Sequence, residues 1–241
     1  KHRPCSTYES ELFRTSLKLS DAEARVEQKL SEITQHDLRK RIPIVAIDDQ
    51  EFPPEINLRN SGFSIQTLSD INRITDVDSY QIVLCDLNDI GTNLSPESQG
   101  AYVIEEIKSK YPDKVVIAYT AASVNSKLFI KARSVADEYV KKDITIEKWR
   151  DLLDAKIKFL SNPIKVWKNE RKRLLDHGME LQDLIKIEQI LLENLDNGKD
   201  VIKKAINIET SNTSSATWKG EISRFLLSKT FDYAFDYLVK A

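Results

Sequence analysis

The sequence predicts an α/β fold, a doubly wound five-stranded parallel sheet, followed by an all-α C-terminal region. Three observations lead there. Five short apolar runs alternate with amphipathic stretches between residues 42 and 161. The first four runs are rich in Val and Ile and mostly lack polar alternation, as expected for strands covered on both faces. Beyond residue 162 the period changes to that of helices, with Leu and aromatic residues recurring at three- and four-residue spacing.

The runs are "IPIVAI" (42–47), "FSIQTL" (63–68), "YQIVLC" (80–85), "KVVIAYT" (114–120) and "ADEYVK" (136–141). Between them lie "PEINLRN", "DINRITDV", "PESQGAYVIEEIKSKY" and "SKLFIKARS", with "IEKWRDLLDAKIKFL" after the last. Each of these carries helical spacing or a helix start signal, so five strand–helix units build one parallel layer. Upstream, residues 1–41 form a polar helical or linker segment. "LSDAEARVEQKLSEI" opens with Ser20 and has Glu23 three residues later, a capping-box signature that predicts a helix start there. Ala22, Val26, Leu30 and Ile33 then make a narrow stripe that needs a partner helix. Downstream, residues 162–241 form an α-helical output or interaction domain of three or four helices. Leu181, Leu184, Ile185, Leu191, Leu192 and Leu195 share a stripe, Gly198 is a stop, and aromatic residues stand at 225, 231, 235 and 237.

Composition bounds the function classes. The 241 residues are 41% hydrophobic and 31% charged, with a net charge of -2 and acids and bases intermixed. That balance argues against a dedicated nucleic-acid binder. Cys5 and Cys85 are too few for a disulfide framework, which favours reduced thiols and a cytoplasmic location. No apolar run reaches the roughly 18 residues of a membrane span, and no signal peptide is visible. The chain starts at Lys1 rather than Met, as a piece of a longer chain would.

In an open parallel sheet, ligands bind at the carboxyl ends of the strands, beside the switch in strand order. Asp48 and Asp49 follow the first strand, Asp86 ends the third, Thr120 ends the fourth and Lys142 follows the fifth. Converging carboxylates repel one another, and a hard cation such as Mg2+ relieves the repulsion through oxygen ligands. A lysine supplies a point charge for a phosphoryl group, and a threonine hydroxyl supplies a donor. Each residue taken singly has a plainer reading: Asp48–Asp49 as a strand-end turn, Tyr139 as half-buried packing. Their occurrence in order along one chain favours a site.

This arrangement resembles the receiver domain of two-component response regulators, a flavodoxin-like fold. "VAIDDQ" is similar to that family's acidic-pair strand, "IVLCDLND" to its phosphoacceptor strand, "IAYTA" to its hydroxyl-bearing strand, and "KARSVADEYVKKD" to its switch-residue and lysine segment. The resemblance implies that Asp86 is phosphorylated. It implies Mg2+ held by the Asp49 and Asp86 side chains and the Asn88 backbone carbonyl, with Asp48 assisting, partly through water. Thr120 and Lys142 would contact phosphoryl oxygens, and Thr120 and Tyr139 would act as the switch pair. The partners implied are a histidine kinase or phosphotransfer protein, and for the C-terminal helices a protein partner or a second copy of the chain. Departures surround the site. Asp86 is followed by "LNDIGTNLSPESQG", so the expected glycine, Gly100, arrives late: either the loop is long or a helix starts at Ser95–Pro96. Asp143 and Val135 replace the usual Pro and Gly, and the paired prolines of "QEFPPEINLRNSG" leave a short first helix in the sheet region.

Three other functions compete: a receiver-like scaffold that works without phosphorylation, an enzymatic helical output, and a DNA-binding one. The C-terminal helices contain no metal-ligand cluster, nucleophile motif or Gly-rich loop, and their near-neutral charge disfavours DNA. His36-Asp37-Leu38-Arg39 resembles a kinase phosphoacceptor motif, but no ATP-binding boxes follow, so a helix-end histidine is the better reading. His177 reads as structural, Trp149, Trp167 and Trp218 as packing anchors, and "KNERKRLL" as a solvated helix face.

Overall fold

The computed structural model describes residues 5–121, 127–211 and 217–236, with residues 5–13 described by backbone alone. Tyr237, the last aromatic of the C-terminal stripe, lies outside the described residues. The chain divides into two compact units, one of residues 34–158 and one of residues 1–33 together with 159–241.

The first unit contains one parallel sheet of β1 (Ile44–Ile47), β2 (Ile65–Leu68), β3 (Ile82–Asp86), β4 (Val115–Thr120) and β5 (Glu138–Lys141), in the order β2-β1-β3-β4-β5. Its helices, apart from a short α2 (Gln35–Arg41) that precedes the sheet, are α3 (Glu55–Asn60), α4 (Gln99–Lys110), α5 (Lys127–Arg133) and α6 (Ile146–Leu160), the last running past the unit boundary. β1, β3 and β4 are buried at every residue, which matches their apolar, non-alternating runs. On one face, Val45, Ile47, Val83, Cys85, Val116 and Ala118 form a core with Ala101, Val103, Ile104 and Ile107 of α4 and Phe129 and Ala132 of α5. On the other, Tyr119 of β4 meets Trp149 of α6 and Phe52 edge to face.

In this unit one expected helix differs, and one open alternative is settled. "DINRITDV" is not an α-helix but one 3-10 turn, Ile74–Val77, because Asp76 accepts from the backbone of Asn72 and Arg73 and closes a tight turn. The late Gly100 reflects a long loop: α4 starts at Gln99, and Ser95–Pro96 is turn rather than helix. α3 has six residues, in keeping with its proline entry.

The second unit is helical: α1 (Cys5–Ser31), α7 (Pro163–Asp176), α8 (Leu181–Glu193), α9 (Lys199–Ser211), α10 (Trp218–Leu227) and α11 (Lys229–Phe235). Among the described residues, five α-helices follow residue 162 rather than three or four, because Ser228 caps α11 through the Phe231 N–H and separates it from α10. α1 continues through the capping-box signature. The Ser20 hydroxyl instead donates to the Ser16 carbonyl, one turn back inside the helix. Leu19, Ala22, Val26 and Leu30 are buried, and α1 packs against α7 and α8. The N-terminal helix therefore belongs with the C-terminal helices.

α7 is capped by Asn162, whose side chain accepts from Ile164 and Lys165 with Pro163 in the first turn. Its basic run is engaged locally: Arg171 pairs with Glu188 at 3.3 Å and Arg173 with Glu221 at 2.7 Å. His177 closes α7, its Nδ1 2.8 Å from the Arg173 carbonyl. No described helix is long and apolar enough to cross a membrane.

Candidate functional site

Asp48 and Lys142 directly follow β1 and β5, Asp86 and Thr120 end β3 and β4, and these strands are neighbours in the order β1-β3-β4-β5 and run parallel, so their carboxyl ends share one rim. Lys142 Nζ lies 2.6 Å from Asp86 Oδ2 and 3.0 Å from Asp48 Oδ2. Asp48, Asp49 and Asp86 each offer a carboxylate oxygen within 4.8 Å of the others. Asp48 and Asp86 are 1% and 3% exposed, so their charges are held out of bulk water and need compensation. Asp49 faces solvent.

The two Asp86 oxygens differ. Oδ1 accepts from the backbone N–H of Leu87 at 2.7 Å and of Asn88 at 3.4 Å, while Oδ2 meets the Lys142 ammonium at 2.6 Å. Burial raises the Asp86 carboxyl above its ordinary value; the Lys142 ammonium and the two N–H groups pull the other way without cancelling it. Burial works to lower Lys142, but hydrogen bonds to Asp86 and Asp48 outweigh it and the ammonium is raised. Beside them, burial foremost and then the Asp86 charge keep the Cys85 thiol protonated.

Asp48 is more fully engaged. Its Oδ1 accepts from Gln50 N–H at 3.1 Å and Lys142 at 3.2 Å, and its Oδ2 accepts from the Tyr119 hydroxyl at 2.9 Å. Burial, with the Asp48 charge second, drives the Tyr119 phenol far above its ordinary value, so it stays a donor. Thr120 is fully buried, and its Oγ1 accepts from the Asn88 side-chain amide at 3.2 Å. Tyr139 packs its ring edge to face against Phe129 at 4.2 Å, at a cleft of about 480 Å³ also lined by Arg133 and Asp137.

Gly100 explains why the loop before it must end in glycine. A Cβ there would lie 1.9 Å from the Asp86 carbonyl oxygen and 2.8 Å from the Leu87 Cα, so only glycine lets α4 approach the strand carrying Asp86. The intervening loop is tied down: Gly91 N–H donates to Asp70 Oδ1 at 2.8 Å, and Ile90 is fully buried. The Lys142–Asp143 peptide is trans, like every other described peptide bond.

Strand order 2-1-3-4-5 is the doubly wound order shared by flavodoxins and receivers. The α/β unit has the receiver fold. No family model matches the chain, and no curated protein matches it either. Solved receiver structures do align with it. A receiver domain protein from Methanospirillum hungatei covers 48% of this chain and 94% of its own at 17% identity and a TM-score of 0.40. A response regulator from Thermotoga maritima, solved in complex with Mg(2+)-BeF, covers 48% and 98% at 24% identity and a TM-score of 0.37. One from Burkholderia pseudomallei, solved with a phosphorylated aspartic acid, covers 72% and 99% at 17% identity and a TM-score of 0.39.

The sequence reading missed Tyr119, Asp70 and Phe52, whereas Trp149, expected as a packing anchor, is buried against Phe52 and Tyr119. A signal for Tyr119 was present: a tyrosine inside the buried run "VVIAYT" has a hydroxyl that requires a partner. The kinase-like His36–Arg39 motif is structural in the fold. Arg39 binds Asp154 of α6 through two hydrogen bonds of 2.8 and 2.6 Å, and the exposed His36 ring covers Gly62.

Proposed function

We propose that this chain is a phosphoacceptor response regulator, phosphorylated on Asp86 by a histidine kinase or phosphotransfer protein. The observation that carries the reading is Lys142 Nζ within 3.0 Å of both Asp86 and Asp48, next to three carboxylates gathered within 4.8 Å. The donor set is all hard oxygen, two of the three acids are buried, and it fits Mg2+. Asp49, Asp86 and the Asn88 carbonyl would hold the ion, with Asp48 assisting. When bound, Mg2+ supplies charge neutralisation for the phosphoryl group.

The protein's own residues supply the remainder. Backbone N–H groups fix Asp86 Oδ1, which leaves Oδ2 as the nucleophile. Its attack forms the O–P bond as the P–N bond to the donor imidazole breaks, and the imidazole leaves with a proton. Lys142 moves from Asp86 Oδ2 to the incoming phosphoryl oxygens, and burial makes the carboxylate more basic than in water. Thr120 exchanges the Asn88 amide for the phosphoryl group. Tyr139 then repacks at its cleft, altering the face made by α5, β5 and α6. The helical unit reads that change by binding a protein partner or a second copy of the chain.

The test is incubation with acetyl phosphate and Mg2+, read by intact mass. Wild type should gain one phosphoryl group, and Asp86→Asn none. A wild type that stays unlabelled would leave a receiver-shaped scaffold that signals without phosphorylation.

A further inference from the structure

β4 reads "VVIAYT", and Tyr119 is the only polar side chain in it before Thr120. It is fully buried, on the sheet face away from α4 and α5. Its ring is enclosed by Phe52 at 5.4 Å and Trp149 at 5.9 Å, both edge on, and those two rings meet each other at 5.5 Å. From that socket the hydroxyl reaches Asp48 Oδ2 at 2.9 Å, with the Ile47 carbonyl at 3.3 Å as a second acceptor.

Asp48 is thus gripped by two kinds of donor. The neutral ones are Gln50 N–H on Oδ1 and the Tyr119 hydroxyl on Oδ2. The charged one is Lys142, bonded to both oxygens and also to Asp86. One ammonium cannot serve a phosphoryl group and keep both carboxylates in place. Once Lys142 turns to its substrate, the orientation of Asp48 rests on the neutral donors. A neutral donor fixes a carboxylate without adding a charge that opposes a divalent cation, which is how outer-shell partners tune metal ligands.

We infer that Tyr119 is a positioning residue of the cation site: its hydroxyl, braced by Phe52 and Trp149, holds Asp48 in the orientation that assists a divalent cation. This rests on the phosphoacceptor reading, and it assigns a role to a residue that touches neither phosphoryl group nor cation. A tyrosine present only to fill space would make the same ring contacts, and removing its hydroxyl would leave cation binding unchanged.

The experiment is a Mn2+ titration of the full chain, read by the free-ion EPR signal, for wild type, Tyr119→Phe, Asp48→Asn and the double variant. Phenylalanine keeps the ring contacts, so the fold survives. Tyr119→Phe should bind Mn2+ roughly 10-fold more weakly, as outer-shell losses typically do. The double variant should bind no more weakly than Asp48→Asn alone, because the hydroxyl acts through that carboxylate. In acetyl phosphate labelling, the half-saturating Mg2+ of Tyr119→Phe should rise in the same proportion while the plateau rate holds within about twofold, a split that lost packing would not produce. If wild type binds Mn2+ and Tyr119→Phe matches it within about twofold, the inference is overturned and the phosphoacceptor reading stands. If wild type itself binds no Mn2+, the reading beneath falls, and the inference with it.

Discussion

Single atoms decide much at this rim. At Gly100, an alanine methyl would sit 1.9 Å from the Asp86 carbonyl oxygen, so the start of α4 or the end of β3 must shift. Gly100→Ala should destabilise the protein by about 3 kcal/mol, the upper range for overpacking, and lower the rate of labelling at Asp86. Chemical denaturation and mass-resolved labelling read the two effects; a stable, fully labelled variant would show that α4 has slack. A second residue-scale test lies in the helical unit. Glu188 is fully buried and Oε1 accepts from Trp167 Nε1 at 3.2 Å, while Oε2 has no partner among the described residues. Burial raises its carboxyl above the ordinary value, and Arg171 and Trp167 only partly offset that. The folded state therefore binds this proton more tightly than the unfolded chain. The penalty for ionised Glu188 is full above its folded value and fades as pH falls through it. Glu188→Gln should exceed wild type in stability by on the order of 1 kcal/mol at neutral pH, the lead vanishing near about pH 4 where unfolded glutamate titrates. Urea midpoints across that range check it, and a lead that persists unchanged in acid would refute the assignment.

Elements with one dominant period were legible, and those governed by a single hydrogen bond were not. β1, β3 and β4 were readable because both faces are covered and nearly every residue is apolar. α1 was misplaced at its start because Ser20 and Glu23 imitate a cap, and only the Ser16 carbonyl one turn earlier shows that the helix was already running. The rim acids, Thr120 and Lys142 were legible because strand ends are visible in sequence. Tyr119 was not, because its partner Asp48 lies 71 residues away. The loop between β3 and α4 belongs to this scale too. Asp89 and Gln99, both at positive φ, stand at its two ends, and the Asp89 N–H donates to Gln99 Oε1 at 3.0 Å. Asp70 Oδ1 accepts from both Ile71 and Gly91, so one carboxylate ties the loop to the end of β2. Asp70→Ala should accelerate amide exchange over residues 89–95 by roughly 5- to 10-fold, the equivalent of one lost hydrogen bond. Exchange mass spectrometry on the peptide spanning 88–98 measures this, and unchanged protection would mean that burial of Ile90 alone holds the loop.

At the scale of the molecule, sequence order and spatial order part company. The α/β unit is one continuous stretch, residues 34–158, whereas the helical unit is assembled from both ends of the chain. Leu19, Ala22, Val26 and Leu30 of α1 are all at most 6% exposed, in a unit where α1 packs on α7 and α8. Glu23 and Glu27 add ion pairs to Lys168 and Lys165. Burying each larger aliphatic side chain stabilises by about 1.5–3 kcal/mol, so three of them contribute roughly 6 kcal/mol, comparable to the whole stability of a small domain. The α/β unit is built within its own stretch of chain. Its five strands pair with one another, and Arg39 of α2 is tied to Asp154 of α6 within the same stretch. A fragment of residues 34–158 should therefore unfold cooperatively and bind Mn2+ with wild-type affinity. A fragment of 159–241 alone should lose most of its helical circular dichroism and regain it when a peptide of residues 1–33 is added. Recovery on mixing, absent with a peptide carrying Val26→Asp and Leu30→Asp, would show that α1 is a structural member of the helical unit. Full helicity of 159–241 without the peptide would show instead that α1 is an accessory docked on a bundle already complete.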